Sequence, residues 1–196
     1  MAIRLEQMHP VLVHLPIALL PVAVVADWLG ATREDDAMRE VGRSAIRIAA
    51  AGAVAAAGTG LIAGEEVNEG RARDLLVTHR NLNFAATVAT LALASWRSRN
   101  DRPGAVYVAA GAAAVGLVSY TAYLGGRLVY ANGVGVKPAG GVYRSAAPTL
   151  RAGQLRAFFT AALVDLVHGV RHMIREVSDG NLVPHLTGSR RFSLPE

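Results

Sequence analysis

The chain has 196 residues, of which 52% are hydrophobic and only 18% charged, against roughly a quarter charged in a soluble domain. The charge is missing from long stretches rather than thinned evenly, which is the composition of an integral membrane protein with a polar tail. The absence of cysteine excludes disulfides, thiolate metal sites, thiol catalysis and covalent c-type haem. The net charge of +5 comes from arginines in short loops and in the tail, which reads as membrane topology and headgroup contact rather than nucleic-acid binding.

The first apolar run, residues 11–30, is longer than the ~7–15 residues of a secretory signal and is interrupted by His14, Pro16 and Pro21, so it is expected to remain as a span. Three more runs approach the ~20 residues a crossing helix needs. They are residues 44–64, 77–96 and 104–124, the last opening after Pro103. The second and fourth are built largely of Ala and Gly, with Gly52, Ala56 and Gly60 four apart and Gly111 and Val115 beside Ala112 and Gly116. Small residues let backbones approach closely in lipid, or leave a flat slot for a planar cofactor. The short loops "ATREDDAMREVGR", "EEVNEGRARDLL" and "RSRNDR" predict an antiparallel up-down-up-down bundle over residues 1–136.

Residues 137–149 are rich in Gly and Pro and read as a linker. Residues 150–178 form an amphipathic segment. Leu155, Phe158, Phe159, Leu163, Leu166, Val170 and Ile174 lie broadly on one face, with Arg151, Arg156, Arg171 and Arg175 interrupting or opposing it. Its uncharged core is too short to cross, so an interfacial or partner-binding helix is expected. Residues 179–196 read as a polar tail. The fold class is therefore an all-α integral membrane protein, an antiparallel four-helix transmembrane bundle plus a C-terminal amphipathic helix.

Up-and-down topology returns one end of each span to a shared membrane side. Those ends carry His9 and His14, Glu65 and Glu66, His79, Arg80, Asn81 and Asn83, and finally Gly125, Gly126, Arg127 and Tyr130. His14 lies roughly 6 Å inside a helix begun at Pro10, and His9 points about 140° away from it. Titratable residues within a span suggest function. Imidazoles from His14 and His79 have the chemistry of axial ligands to haem b. They also suit a metal ion shared with Glu65 or Glu66, a quinone or proton pocket, or hydrogen bonds to Glu65, Asn83 or Tyr130 that merely lock the bundle. A second set, Asp165, His168 and His172, falls on one helical face with ligand types suited to a divalent metal. No metalloprotease, nucleophile-elbow or phosphate-loop motif is present, and an electron-transfer or accessory role is favoured over a stand-alone enzyme.

The motifs "MHPVLVHLPIALL", "LLVTHRNLN" and "YLGGRLVYANGVGV" occur in order across residues 8–136 and resemble the bacterial membrane family "domain of unknown function 2231". The resemblance implies a four-span module without an assigned reaction, often fused to or found beside Rieske-type or cytochrome-type redox domains. Its motif positions correspond here to His9, His14, His79, Gly125, Gly126, Tyr130, Gly133 and Gly135. The family commonly shows an Asp-Trp pair near the end of its second span, where this chain has Gly64, Glu65 and Glu66, which puts a role for Glu65 in doubt. The resemblance implies a small redox-associated module, with haem b between His14 and His79 as one expectation. The other is a non-catalytic accessory subunit of a larger membrane complex. No redox domain accompanies the spans, so the expected partners are the lipid bilayer and separate membrane or redox subunits.

Arginine counts on the two sides are close: Arg33, Arg39, Arg43, Arg47, Arg97, Arg99 and Arg102 against Arg4, Arg71, Arg73, Arg80, Arg127 and Lys137. The positive-inside rule then places the termini and the histidine cluster on the non-cytoplasmic side of a bacterial inner membrane.

Overall fold

The computed structural model describes residues 3–4, 8–64, 70–135, 149–150 and 153–187. In chain order these form β1 (Ile3–Arg4), α1 (Met8–Leu12), α2 (His14–Thr32), α3 (Asp36–Ala63), α4 (Gly70–Arg99), α5 (Ala105–Tyr130), β2 (Thr149–Leu150), α6 (Leu155–Ser178) and α7 (Pro184–Thr187). The two strands are only two residues each and pair antiparallel, Ile3 with Leu150 and Arg4 with Thr149. The protein is an all-α membrane bundle. The linker expected at 137–149 and the tail beyond Thr187 lie, apart from Thr149, outside the described residues.

Four helical stretches are long and apolar enough to cross a bilayer: Met8–Thr32, Asp36–Ala63, Ala105–Tyr130 and Leu155–Ser178. The number matches the sequence reading, but the membership differs, because α6 meets this criterion and α4 does not. The first turns of α4 hold Arg71, Arg73, Asp74, His79, Arg80, Asn81 and Asn83, which lower its mean hydropathy. Its second half is nevertheless built for lipid. Phe84, Val88 and Leu91 are exposed on one stripe, while the Thr87 and Thr90 hydroxyls donate to the carbonyls of Asn83 and Ala86, each at 2.8 Å, so neither needs a partner outside the helix.

The chain divides into two compact units, with α1, α3, α4 and α5 contributing to both. One comprises Pro10–Ala57 and Asn83–Ala122. Its core joins Leu20 and Ala23 of α2, Ala45, Ile46 and Ala49 of α3, Ala86 and Leu93 of α4, and Tyr107, Ala114 and Val118 of α5. Small residues face inward while Val22, Val25, Ile48, Val54, Phe84 and Val88 face out, the size order expected where lipid is the solvent. A Cβ on Gly52 would stand 2.5 Å from Leu15 Cβ, and one on Gly111 would stand 2.6 Å from Val24 Cγ2. The small residues at these two positions are thus filled by α2 side chains, which is the tight-bundle reading rather than a slot. The turn into α3 is capped by Asp35, whose carboxylate accepts from the Met38 N–H at 3.1 Å.

The other unit comprises Met1–His9, Gly58–Leu82 and Tyr123–Glu196. Leu75 and Leu76 of α4 pack on Leu124 and Leu128 of α5. Ile62, in the last turn of α3, packs on Phe158 of α6, with Ala162 and Leu166 against them. Residues 181–187 are held to α4, since Asn81 Nδ2 donates to the Leu182 carbonyl at 2.8 Å and the His185 N–H donates to Thr78 Oγ1 at 3.0 Å.

Candidate functional site

Within the unit containing the N-terminal residues, two histidines are seated on glycines. A Cβ on Gly60 of α3 would lie 2.8 Å from His9 Cε1, and a Cβ on Gly125 of α5 would lie 3.0 Å from His79 Cε1. Both glycines therefore serve as contact surfaces for an imidazole edge, which explains a Gly at Gly125 in "YLGGR". Gly126 has no such neighbour, the nearest atom being Tyr130 Cδ2 at 4.0 Å. Tyr130 itself is 92% exposed at the end of α5. Gly133 has a positive φ of 67° and closes α5, with Val134 N–H donating to the Leu128 carbonyl at 3.0 Å. That motif glycine is accounted for by helix capping.

His185 joins the same unit, its Nε2 being 3.5 Å from Arg127 Nη1. Nothing in the sequence pattern ties it to Arg127 or Thr78, because the partners are 58 and 107 residues away. Glu65, the acid considered beside the histidines, lies outside the described residues.

His14 belongs to the unit of Pro10–Ala57 and Asn83–Ala122. A break separates α1 from α2 at Val13, because Pro16 cannot donate to the Leu12 carbonyl four residues earlier. His14 is exposed immediately after that break, and its Nδ1 lies 2.5 Å from the Pro10 carbonyl oxygen. A carbonyl only accepts, so Nδ1 carries a proton, and in the neutral ring Nε2 is the nitrogen with the lone pair that can ligate a metal. Asn83, in the same unit, gives its carbonyl to Thr87.

The Asp165, His168 and His172 set is not gathered into a metal site. Asp165 is buried against the protein and His168 is exposed, and among the described residues no group of three His, Asp or Glu side chains is placed to hold a metal ion. A shared helical face fixes direction only to within a broad arc, and here docking of α6 splits the arc.

Sequence reasoning passed over the most completely buried polar cluster. In the unit of Pro10–Ala57 and Asn83–Ala122, Asp27 of α2 is 0% exposed and Arg97 of α4 is 1% exposed. Arg97 Nε donates to Asp27 Oδ1 at 2.9 Å, Nη2 to the Arg39 carbonyl at 2.8 Å and Nη1 to the Asn100 carbonyl at 2.7 Å. Tyr107 of α5 lies near the same carboxylate, whose Oδ2 is buried without a hydrogen-bond partner, and Gly42 of α3 lies so close that a Cβ there would be 2.5 Å from Asp27 Cγ. One residue from each of four helices thus meets at Asp27. Trp28 and Trp96, the chain's two tryptophans, flank the clamp and are half exposed, as aromatic residues at a membrane–water interface are. The available signal was a lone acid inside an apolar run.

No curated protein and no solved structure matches this chain. One family model, described as "Predicted membrane protein (DUF2231)", matches residues 6–138. The chain belongs to that family of predicted membrane proteins.

Proposed function

We propose that this membrane protein is a small redox-associated module, with His14 and His79 as the imidazoles that would hold a b-type haem. The observation that carries the reading is the His14 ring, whose Nδ1 is tied to the Pro10 carbonyl at 2.5 Å, which orients the ring and leaves Nε2 as the nitrogen available to a ligand. The contact of His79 with Gly125 supplies a second imidazole with a fixed edge. When bound, the haem iron supplies a one-electron couple. The chain's own contribution would be to orient the two rings.

The test is a visible spectrum of protein purified from haem-replete cells. The expected result is a Soret and a reduced b-type α band, lost in both His14→Ala and His79→Ala while tryptophan-monitored melting is retained. A colourless protein that also fails to take up added haem overturns the reading.

The accessory-subunit reading is favoured by a different observation: the contacts His9–Gly60 and His79–Gly125 are complete as packing. On that reading the protein is colourless and co-purifies with larger membrane subunits. The proposal also places both termini outside the cytoplasm of a bacterial inner membrane. In this cysteine-free chain, a membrane-impermeant maleimide applied to the periplasmic side is expected to label Ser193→Cys and to spare Glu34→Cys. The reverse pattern inverts the orientation.

A further inference from the structure

The surface of α6 is divided into three flanks, and the division identifies what covers it. The first flank is docked on the protein. Phe158 packs on Ile62, Gly169 rests against the Leu61 carbonyl, and Glu176 pairs with Arg73 at 2.8 Å. Both acids of the helix, Asp165 and Glu176, are turned into this flank and buried. Rotating around the helix at about 100° per residue reaches an apolar flank of Phe159, Leu163, Val167, Ile174 and Val177, all exposed, the first two by 64% and 61%. Beyond it lies a flank with Thr160, Val164, His168, Arg171 and Arg175, also exposed, while Arg156 stands in the first turn of the helix in line with Ile174. Among the described residues no carboxylate pairs with Arg156, Arg171 or Arg175.

The outward surface of α6 therefore carries cations without acids, directly beside a strip of bare hydrocarbon. That is complementary to a layer in which negative phosphates abut acyl chains. The docking position agrees. α6 meets α3 at Leu61 and Ile62, in the last turn of a helix that ends at Ala63, and it meets α4 at Arg73, in its first turns. The end of a spanning helix is where the membrane surface lies.

We infer that α6 is an interfacial helix that lies along the membrane surface, its Phe159–Ile174 flank in the acyl region and its arginines on the phosphates of anionic phospholipids. α6 is long and apolar enough to cross, but crossing would carry unpaired Arg171 toward hydrocarbon, which a charged side chain resists. The inference rests on the membrane fold and not on the haem reading.

The test uses the full chain in lipid nanodiscs. Because there is no native cysteine, single spin labels can be placed at Phe159→Cys, Leu163→Cys, Ile174→Cys, Thr160→Cys and His168→Cys, and their collisions with oxygen and with a water-soluble nickel chelate measured. In discs containing phosphatidylglycerol, labels at 159, 163 and 174 are expected to be shielded from nickel several-fold more than those at 160 and 168. The shielding is expected to weaken in phosphatidylcholine discs and in an Arg156→Gln/Arg171→Gln/Arg175→Gln variant. Equal nickel access at all five positions overturns the inference in favour of a water-exposed or protein-binding face. Shielding of all five overturns it in favour of a span. Shielding indifferent to lipid charge and to the arginines removes the anionic-lipid assignment.

Discussion

Asp27→Ala is expected to destabilise the protein by about 3–5 kcal/mol, the cost of leaving one partner of a buried ion pair uncompensated. Arg97 is 1% exposed and cannot turn to water once its carboxylate is gone. It stays held by two carbonyls, those of Arg39 and Asn100, which fix its position without neutralising it. Asp27→Asn should cost less, because an amide oxygen still accepts from Nε. Arg97→Met should cost at least as much as Asp27→Ala, since it strips the donor from a buried carboxylate and from both carbonyls. In the Asp27→Leu/Arg97→Met double variant the two penalties should be clearly sub-additive, because no isolated charge remains. Trp28 and Trp96 flank the clamp in sequence, and the Trp96 ring meets Tyr107 edge-on at 5.7 Å. Thermal melting in detergent followed by tryptophan emission therefore reads this region directly. Additive penalties in the double variant would show that the two side chains act separately.

The parts of the fold that were legible in sequence are those governed by composition within one segment. The Ala/Gly runs gave α3 and α5, although the helices extend to Asp36–Ala63 and Ala105–Tyr130, beyond the apolar runs themselves. The polar first half of α4 was less legible as membrane-associated structure, since its groups are satisfied by residues 181–187 from more than a hundred positions away. The Asp27–Arg97 clamp was hidden for the same reason, its partners being 70 residues apart. Periodicity places a side chain on a face of its own helix and says nothing of the face it meets. The histidine motifs were visible as motifs, whereas the glycine seats of His9 and His79 needed coordinates. The capping role of Gly133 also emerged only with its positive φ.

Gly169→Leu is expected to release α6 from α3. A Cβ on Gly169 would lie 2.7 Å from the Leu61 carbonyl oxygen and 3.1 Å from its carbon, so the obstruction is backbone, and no change of rotamer relieves it. Gly169→Ala already requires the two helices to part by several tenths of an ångström, at about 1–3 kcal/mol for overpacking. A leucine adds three more heavy atoms in the same gap. Separation there removes Phe158 from Ile62 and pulls Glu176 from Arg73, whose side chains are only 11% and 19% exposed, so the loss propagates along the docked flank. The measurement is the rate of maleimide reaction at Ala162→Cys, a partly buried position packed against the Ile62–Phe158 cluster. It should rise at least tenfold in Gly169→Leu, and less in Gly169→Ala. Gly58→Leu is the matched control, because a Cβ at Gly58 of α3 meets nothing within 4 Å and replacing a mid-helix glycine favours the helix. An unchanged labelling rate in Gly169→Leu would mean that α6 is held by its two ends, and that the close approach to Leu61 contributes little to its docking.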